Sequence, residues 1–219
     1  VVSTALSLRD RGVHLVLGYN TALLNSALRL AGRRVVMNMD GLEWKRGKWS
    51  AAQRTWLRAN EFIGAKTAQH LVADHPRIAE HLTGLRQARA ITTIPYGSDS
   101  VTAADEAVPR RLGLEPGDDY LTGARIEPEN SLLEFVTALS GGPEAKRVVV
   151  LGPFDPAGNG YHASIAAAAG PNCSFPGPVY EPTEVQALRF HAFAYVHGHT
   201  VGGTNPSLVE AMGAGNAVL

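Results

Sequence analysis

Residues 197–219 read HGHTVGGTNPSLVEAMGAGNAVL. The preceding FAYVHG (193–198) has the apolar run of a short strand, and the Gly202-Gly203 pair breaks it. A helix then opens at Asn205-Pro206, because proline at the first helical position loses only an amide that has no helical acceptor, and asparagine caps the amides behind it. The backbone amides of residues 202–207 are then expected to converge at the positive end of the helix dipole, an arrangement suited to a phosphate. Glu210 lies one turn inside, where a carboxylate accepts hydrogen bonds from sugar hydroxyls. On this stretch alone an ordinary capped helix with a solvated glutamate is an equal reading.

Working back along the chain, strand patterns alternate with helical ones. From residue 120 the order is strand 120–125, helix 131–141, strand 146–152, helix 161–170, strand and turn 173–179, and helix 182–191. Before residue 98 a similar series appears: strands at 13–18, 34–40 and 91–99, a helix at 21–32, and a long helix from Trp49 to about Val72. In that long helix Trp49, Trp56 and Ile63 recur every seven residues, which marks the expected core face. VHLVLG (13–18) reads as a strand covered on both faces. SDSVTAADEAVPRRLGLEPGDD (98–119) is polar and broken by Pro and Gly, and reads as an interdomain linker with at most a short helix. The expected organisation is one α/β domain at 1–97, a linker at 98–119 and a second α/β domain at 120–219, each with a parallel sheet.

Composition narrows the classes. Twenty basic and twenty acidic residues balance, so no overall field recruits nucleic acid. Cys173 is the single cysteine, which excludes an intrachain disulfide. No apolar run approaches the roughly 20 residues that cross a bilayer. The chain opens at Val1 in what reads as the end of a helix and stops in the strand pattern NAVL, so both domains are expected to be incomplete.

Ligands of parallel α/β sheets bind at the carboxyl ends of strands. Arg125, Gly152, Val179 and His197 stand at such ends. Arg125 suits a diphosphate by its forked guanidinium, or it pairs with Glu127 or Glu129 on the surface. Tyr180 follows a Gly-Pro-Val turn and is placed either to stack on a base or to sit half-buried. His197 and His199 share a strand face, but no cysteine or acid completes a metal set, so each is expected as a hydrogen-bonding group at the cleft edge or as a satisfied core residue. Gly158-Asn159-Gly160 lacks the third glycine of a dinucleotide fingerprint and reads as a loop.

GARIEPEN, FPGPVYEPTEV and HGHTVGGTNPSLVEAMGAGNAVL together resemble the donor half of the retaining GT-B glycosyltransferases of family 4. NMDGLEWKRGKW, ADHPRI and IPYGSD are similar to the acceptor half of its rhamnosyltransferase-like subgroup, and the likeness runs from about Val13 to the last residue. The resemblance implies a GT-B-like α/β fold: two Rossmann-type βαβ domains with parallel sheets facing a cleft. It implies a cytoplasmic hexosyltransferase, membrane-associated where its acceptor demands it. The enzyme would use a dTDP- or UDP-linked sugar as co-substrate, with neither cofactor nor metal, and a saccharide or lipid-linked acceptor. By position it makes Arg125, Asn130, Gly152, Val179, Tyr180, His199, Gly202, Gly203, Thr204, Asn205 and Glu210 donor-binding. Arg125 and Asp40 become the catalytic candidates, and Asp40, Glu43 and Trp44 the acceptor side.

This chain departs from the family pattern at three positions. The first acid of E-x7-E falls at Gly202, the basic partner of the arginine at Asn130, and the acceptor-side histidine at Met39, beside Asp40. A binding module without catalysis is the alternative. A nicotinamide-dependent oxidoreductase is a further one, disfavoured because no G-x-G-x-x-G follows either domain's first visible strand. Six bases (Lys45, Arg46, Lys48, Arg54, Arg58, Lys66) fall in or just before the long helix and read either as a contact for an anionic surface or as a solvated face.

Overall fold

A computed structural model describes residues 2–142 and 144–219. Its contacts divide the chain into two compact units, Val1–Tyr96 with Val201–Thr204, and Gly97–Thr200 with Asn205–Leu219.

The first unit runs α1 (Val2–Ser7), β1 (Val13–Leu17), α2 (Asn25–Leu30), β2 (Arg34–Asn38), α3 (Ala51–Thr67), β3 (His70–Ala73), α4 (Pro76–Thr83) and β4 (Ile91–Thr93). Its sheet has the order β1-β2-β3-β4 with every pair parallel. Val35, Met37, Met39, Leu71 and Ala73 fill its core together with Leu28, Leu57, Ile78 and Leu82. The expectation that VHLVLG is covered on both faces fails. β1 lies at the sheet edge, and Val13, Leu15 and Leu17 are 61%, 64% and 75% exposed, since no described element packs over that face.

α3 starts at a capping box, in which the Ser50 hydroxyl accepts from Gln53 N and the Gln53 side chain accepts from Ser50 N. Its buried residues are Leu57, Asn60, Glu61, Gly64 and Ala65, a helical stripe beside the one expected. Trp56 stays half exposed. Asn60 and Glu61 tolerate the core because both are satisfied: Asn60 Oδ1 accepts from Leu23 N at 2.9 Å, and the Glu61 carboxylate accepts from Trp44 Nε1 at 3.2 Å and pairs with His81 at 3.0 Å.

The second unit runs α5 (Ala107–Arg111), β5 (Asp119–Gly123), α6 (Leu132–Leu139), β6 (Arg147–Leu151), α7 (Gly160–Ala168), β7 (Cys173–Ser174), α8 (Pro182–His191), β8 (Ala194–Tyr195), α9 (Pro206–Gly213) and β9 (Ala217–Val218). The parallel sheet has the order β7-β6-β5-β8-β9. The chain steps outward from β5 through β6 to β7, then returns to the other side of β5. That reversal leaves a crevice at the carboxyl ends of β5 and β8, the usual ligand position in such sheets. The 98–119 stretch is not a free linker. Val108 and Leu114 are buried in the second unit's core beside Leu121, Leu188 and Tyr195, and Val101 N donates to Gly213 O at 2.9 Å.

Asp119, at the amino end of β5, is 2% exposed. Burial, then the neighbouring Asp118, pushes its carboxyl up to about 7 against the opposing pull of Lys146. A carboxyl raised on folding binds its proton more tightly in the native state. Its contribution is therefore fully present below the unfolded value near 4 and lost as pH rises through about 7. The melting temperature of Asp119→Asn should exceed that of the parent by roughly 5 °C at pH 8 and match it near pH 4. Calorimetry at both pH values checks this, and an equal difference at both would remove Asp119 as the titrating group.

Candidate functional site

In the second unit a hollow of about 450 Å³ opens at the strand ends. Gly123, Ala124 and Arg125 line it after β5, Leu151 and Gly152 after β6, and Tyr195 from β8, with Val179, Tyr180, Arg189 and Ser207 closing it. The alternation of short apolar strands with helices puts these residues here, because each strand's last side chain emerges at the same edge. A second hollow of about 460 Å³ shares Tyr180, Val185 and Arg189 with the first and adds Asp99, Gln186 and Glu210. Of the expected donor residues, Arg125, Gly152, Val179, Tyr180 and Glu210 therefore line two adjoining hollows.

Tyr195 fixes the end of β5. Its hydroxyl donates to Gly123 O at 3.1 Å and accepts from Gly123 N at 3.3 Å, and burial raises its pKa. Arg189 is buried in α8, and its guanidinium meets the Glu210 carboxylate of α9 at 2.5 Å. Sequence reasoning missed both. Arg189 reads as an ordinary helix charge, one of two in α8 with Glu184, and Tyr195 is indistinguishable from a core aromatic. Tyr180 is 81% exposed, which leaves its ring free to stack. Arg125 is exposed and meets Glu127 at 3.7 Å, the pairing weighed against its diphosphate role.

Gly152 has a steric reason for being glycine. A Cβ there would press on the Ala124 carbonyl oxygen and lie 3.4 Å from Ile126 Cγ1. Gly152→Ala should cost about 2 kcal/mol through overpacking and displace the β5 end that carries Arg125. Chemical denaturation measures the first effect, and an unchanged midpoint would show that the two strand ends separate freely.

Other expected residues are engaged elsewhere. Asn130 is buried, and its amide donates to Arg125 O at 2.6 Å; in place of a ligand contact it braces the loop that presents the arginine. Asn205 caps α9, its Oδ1 accepting from Ser207 N at 2.9 Å and Leu208 N at 3.4 Å. The Ser207 amide, counted above among those awaiting a phosphate, is therefore already satisfied. His199 lies 3.3 Å from the Asn205 amide and stacks on His197, with ring centroids 5.4 Å apart; burial lowers the His197 pKa. Among the described residues no group of three His, Cys, Asp or Glu side chains is placed to hold a metal. The 158–160 loop is the amino end of α7: Asn159 caps it, and His162 is a satisfied core residue bonded to Asp155 N and Ile126 O.

In the first unit, Asp40 follows β2 with φ of 52°, an uncommon left-handed conformation for a side chain other than glycine. It is exposed, with its amide donating to Asn38 Oδ1 at 2.9 Å. Asp74 stands at the equivalent end of β3, a strand that the sequence reading covers with the last turn of a helix to about Val72; α3 ends at Thr67 instead, and His70–Ala73 pairs between β2 and β4. Asp74 is 2% exposed, and its carboxyl is raised first by burial and then by the charge of Asp40. The 201–204 segment packs here. A Cβ on Gly203 would strike the Asp74 carboxylate, a Cβ on Gly41 would come within 3.2–3.3 Å of Gly202 and Gly203, and Thr204 Oγ1 donates to Asp74 O at 2.5 Å. Glu43 is held by Arg46 at 2.6 Å and by Trp49 Nε1 at 3.2 Å, so its carboxylate serves the local turn instead of an open acceptor surface. Trp44 is half-buried over Glu61.

A family model described as a domain of unknown function (DUF1972) matches residues 15–99. No curated protein matches the chain. Among solved structures, the chain is similar to Anabaena Alr3699/HepE in complex with UDP and glucose, at 16% identity and a TM-score of 0.73, covering 99% of this chain and 60% of that one. It is also similar to the lipopolysaccharide outer core galactosyltransferase WaaB, at 14% identity and a TM-score of 0.63, covering 99% and 58%. A third likeness is to UDP-N-acetylglucosamine 2-epimerase from Rickettsia bellii, at 13% identity and a TM-score of 0.56, covering 89% and 53%. The chain thus spans about 60% or less of the length of these structures. At such identities the likeness concerns the fold, and the chain has the GT-B-like α/β architecture of two parallel sheets.

Proposed function

We propose that the chain belongs to a retaining glycosyltransferase of family 4 type that moves a hexose from a nucleotide-sugar to a saccharide or lipid-linked acceptor. L-Rhamnose carried on dTDP is the preferred donor, and surface polysaccharide synthesis in the cytoplasm, at the membrane where the acceptor is lipid-linked, the setting. The single observation that carries this reading is the pair of adjoining hollows at the β5–β8 switch point, where Arg125, Tyr180, Arg189 and Glu210 gather. A solved relative in fold holds UDP and glucose, which supports a pyrimidine nucleoside diphosphate as ligand.

In this reading the base lies against Tyr180, the ribose hydroxyls donate to Glu210, and the diphosphate faces Arg125. As the glycosidic bond breaks, the leaving diphosphate gains charge, and a guanidinium already in place lowers that barrier without reorganising. Asp40 orients or deprotonates the acceptor hydroxyl.

Calorimetric titration with dTDP, UDP, GDP and NAD tests the ligand class, and transfer of radiolabelled sugar by the full-length protein tests the reaction. Binding of a pyrimidine diphosphate with sugar transfer is expected. Preferential binding of NAD would overturn the reading, and nucleotide binding without transfer would reduce the protein to a binding module.

A further inference from the structure

The first unit has a hollow of about 670 Å³ lined by Trp44, Lys45, Trp49, Arg54, Thr55 and Arg58, together with Ala51. No carboxylate lines it. Among the described residues, Lys45, Arg54 and Arg58 have no acidic partner. Two carboxylates, the buried Glu61 and the partly buried Glu43, fix the indoles: Trp44 Nε1 donates to Glu61 and Trp49 Nε1 to Glu43, both at 3.2 Å. These acids are already committed, Glu61 to His81 and Glu43 to Arg46. The fixed rings in turn hold cations: the Arg58 guanidinium lies 4.1 Å from the Trp44 centroid, Lys45 Nζ 5.5 Å from it, and Lys48 Nζ 5.1 Å from that of Trp49. The amino end of the 17-residue α3 adjoins the same hollow through Ala51, adding its dipole. A solvated basic face has mobile charges; here the indoles are oriented by partly buried hydrogen bonds, and Lys45 and Arg58, two of the three cations lining the hollow, lie over Trp44.

We infer that this hollow is a binding site for a phosphate-bearing saccharide, with the phosphate among Lys45, Arg54 and Arg58 and the sugar against the indole edges. The inference rests on the transfer reading only in calling that ligand the glycosyl acceptor. A phosphosugar free in solution and one carried on a lipid share this chemistry.

All three tryptophans of the chain, Trp44, Trp49 and Trp56, belong to the first unit, so intrinsic fluorescence reports on it. Titration with inorganic pyrophosphate and with glucose 1-phosphate should give a saturable change. Lys45→Glu and Arg54→Glu, both exposed, should each weaken it at least tenfold while leaving the melting temperature and UDP binding unchanged. A lipid-borne source is indicated if phosphatidylglycerol vesicles co-sediment the protein and pyrophosphate releases it; no sedimentation indicates the free phosphosugar. The inference is overturned by the absence of saturation with both phosphate probes, by variants that respond like the parent, or by vesicle binding that pyrophosphate does not displace. Loss of UDP binding with a retained tryptophan response would instead sink the transfer reading and leave this site standing.

Discussion

Glu210→Ala is expected to lower the melting temperature by roughly 6–12 °C and to weaken nucleotide binding on the order of a hundredfold. The two effects have different origins. The Arg189 side chain is 10% exposed and the Glu210 side chain 46%, so the two ends of this ion pair differ in their access to water. Removing the glutamate strands a buried guanidinium, a change that costs about 3–5 kcal/mol where the charge is fully enclosed. Water can enter through the exposed glutamate side, so the lower end, about 3 kcal/mol, is the better figure. Arg189→Ala should hurt less, because the carboxylate it leaves behind is already half hydrated. The double variant Arg189→Met/Glu210→Ala should recover most of the stability, since an apolar side chain of similar reach replaces a buried charge that no longer needs a partner. It should not recover binding, because the ribose acceptor is still gone. Thermal unfolding and UDP titration of the three variants check this. A double variant that regains both would make Glu210 a purely structural residue.

The sequence displayed the fold more openly than the site, for physical reasons visible at single residues. Alternating strands and helices survive in the text because short apolar runs such as RVVVL, which becomes β6, have no other way to be buried. The face of α3 was misread because its core stripe contains Asn60 and Glu61, which are satisfied by groups distant in sequence. Periodicity cannot see a carboxylate whose hydrogen bonds come from Trp44 and His81. The 98–119 stretch looked like a linker for the complementary reason: Val108 and Leu114 are sparse among polar neighbours, yet both are buried.

For the site, strand-end position was the productive signal. It picks out Arg125, Gly152 and Val179, which line the first hollow, and His197, which does not; it passes over Asp74 because a helix run to about Val72 hides β3 (His70–Ala73). It could not find Arg189, whose place depends on how α8 and α9 approach each other. Nor could it tell that Asn130, one loop further on, would turn inward to brace the Arg125 carbonyl. The Asn205 cap was legible down to its acceptor geometry, but a cap that satisfies Ser207 and Leu208 leaves fewer amides for an anion than a bare helix end would. Capping and phosphate binding compete for the same donors.

Arg125→Ala should lower turnover on the order of a hundredfold while leaving stability within about 0.5 kcal/mol of the parent. Its side chain is 56% exposed, and its contact with Glu127 is long, at 3.7 Å. Exposed pairs of that kind contribute little to folding. What holds the loop is the Asn130 amide on the Arg125 carbonyl, a main-chain contact that alanine preserves. The functional loss has a separate source. One preorganised donor facing a developing anion is worth roughly 3 kcal/mol of barrier. The negative charge of a leaving diphosphate is larger in the transition state than in the bound donor, so the loss should fall mainly on kcat, with a smaller rise in KM. Arg125→Lys keeps the charge but loses the fork, and should sit between the two. Single-turnover rates with a nucleotide-sugar, set beside denaturation midpoints, separate these terms. A stable variant with parental turnover would return Arg125 to the surface role that its pairing with Glu127 allows.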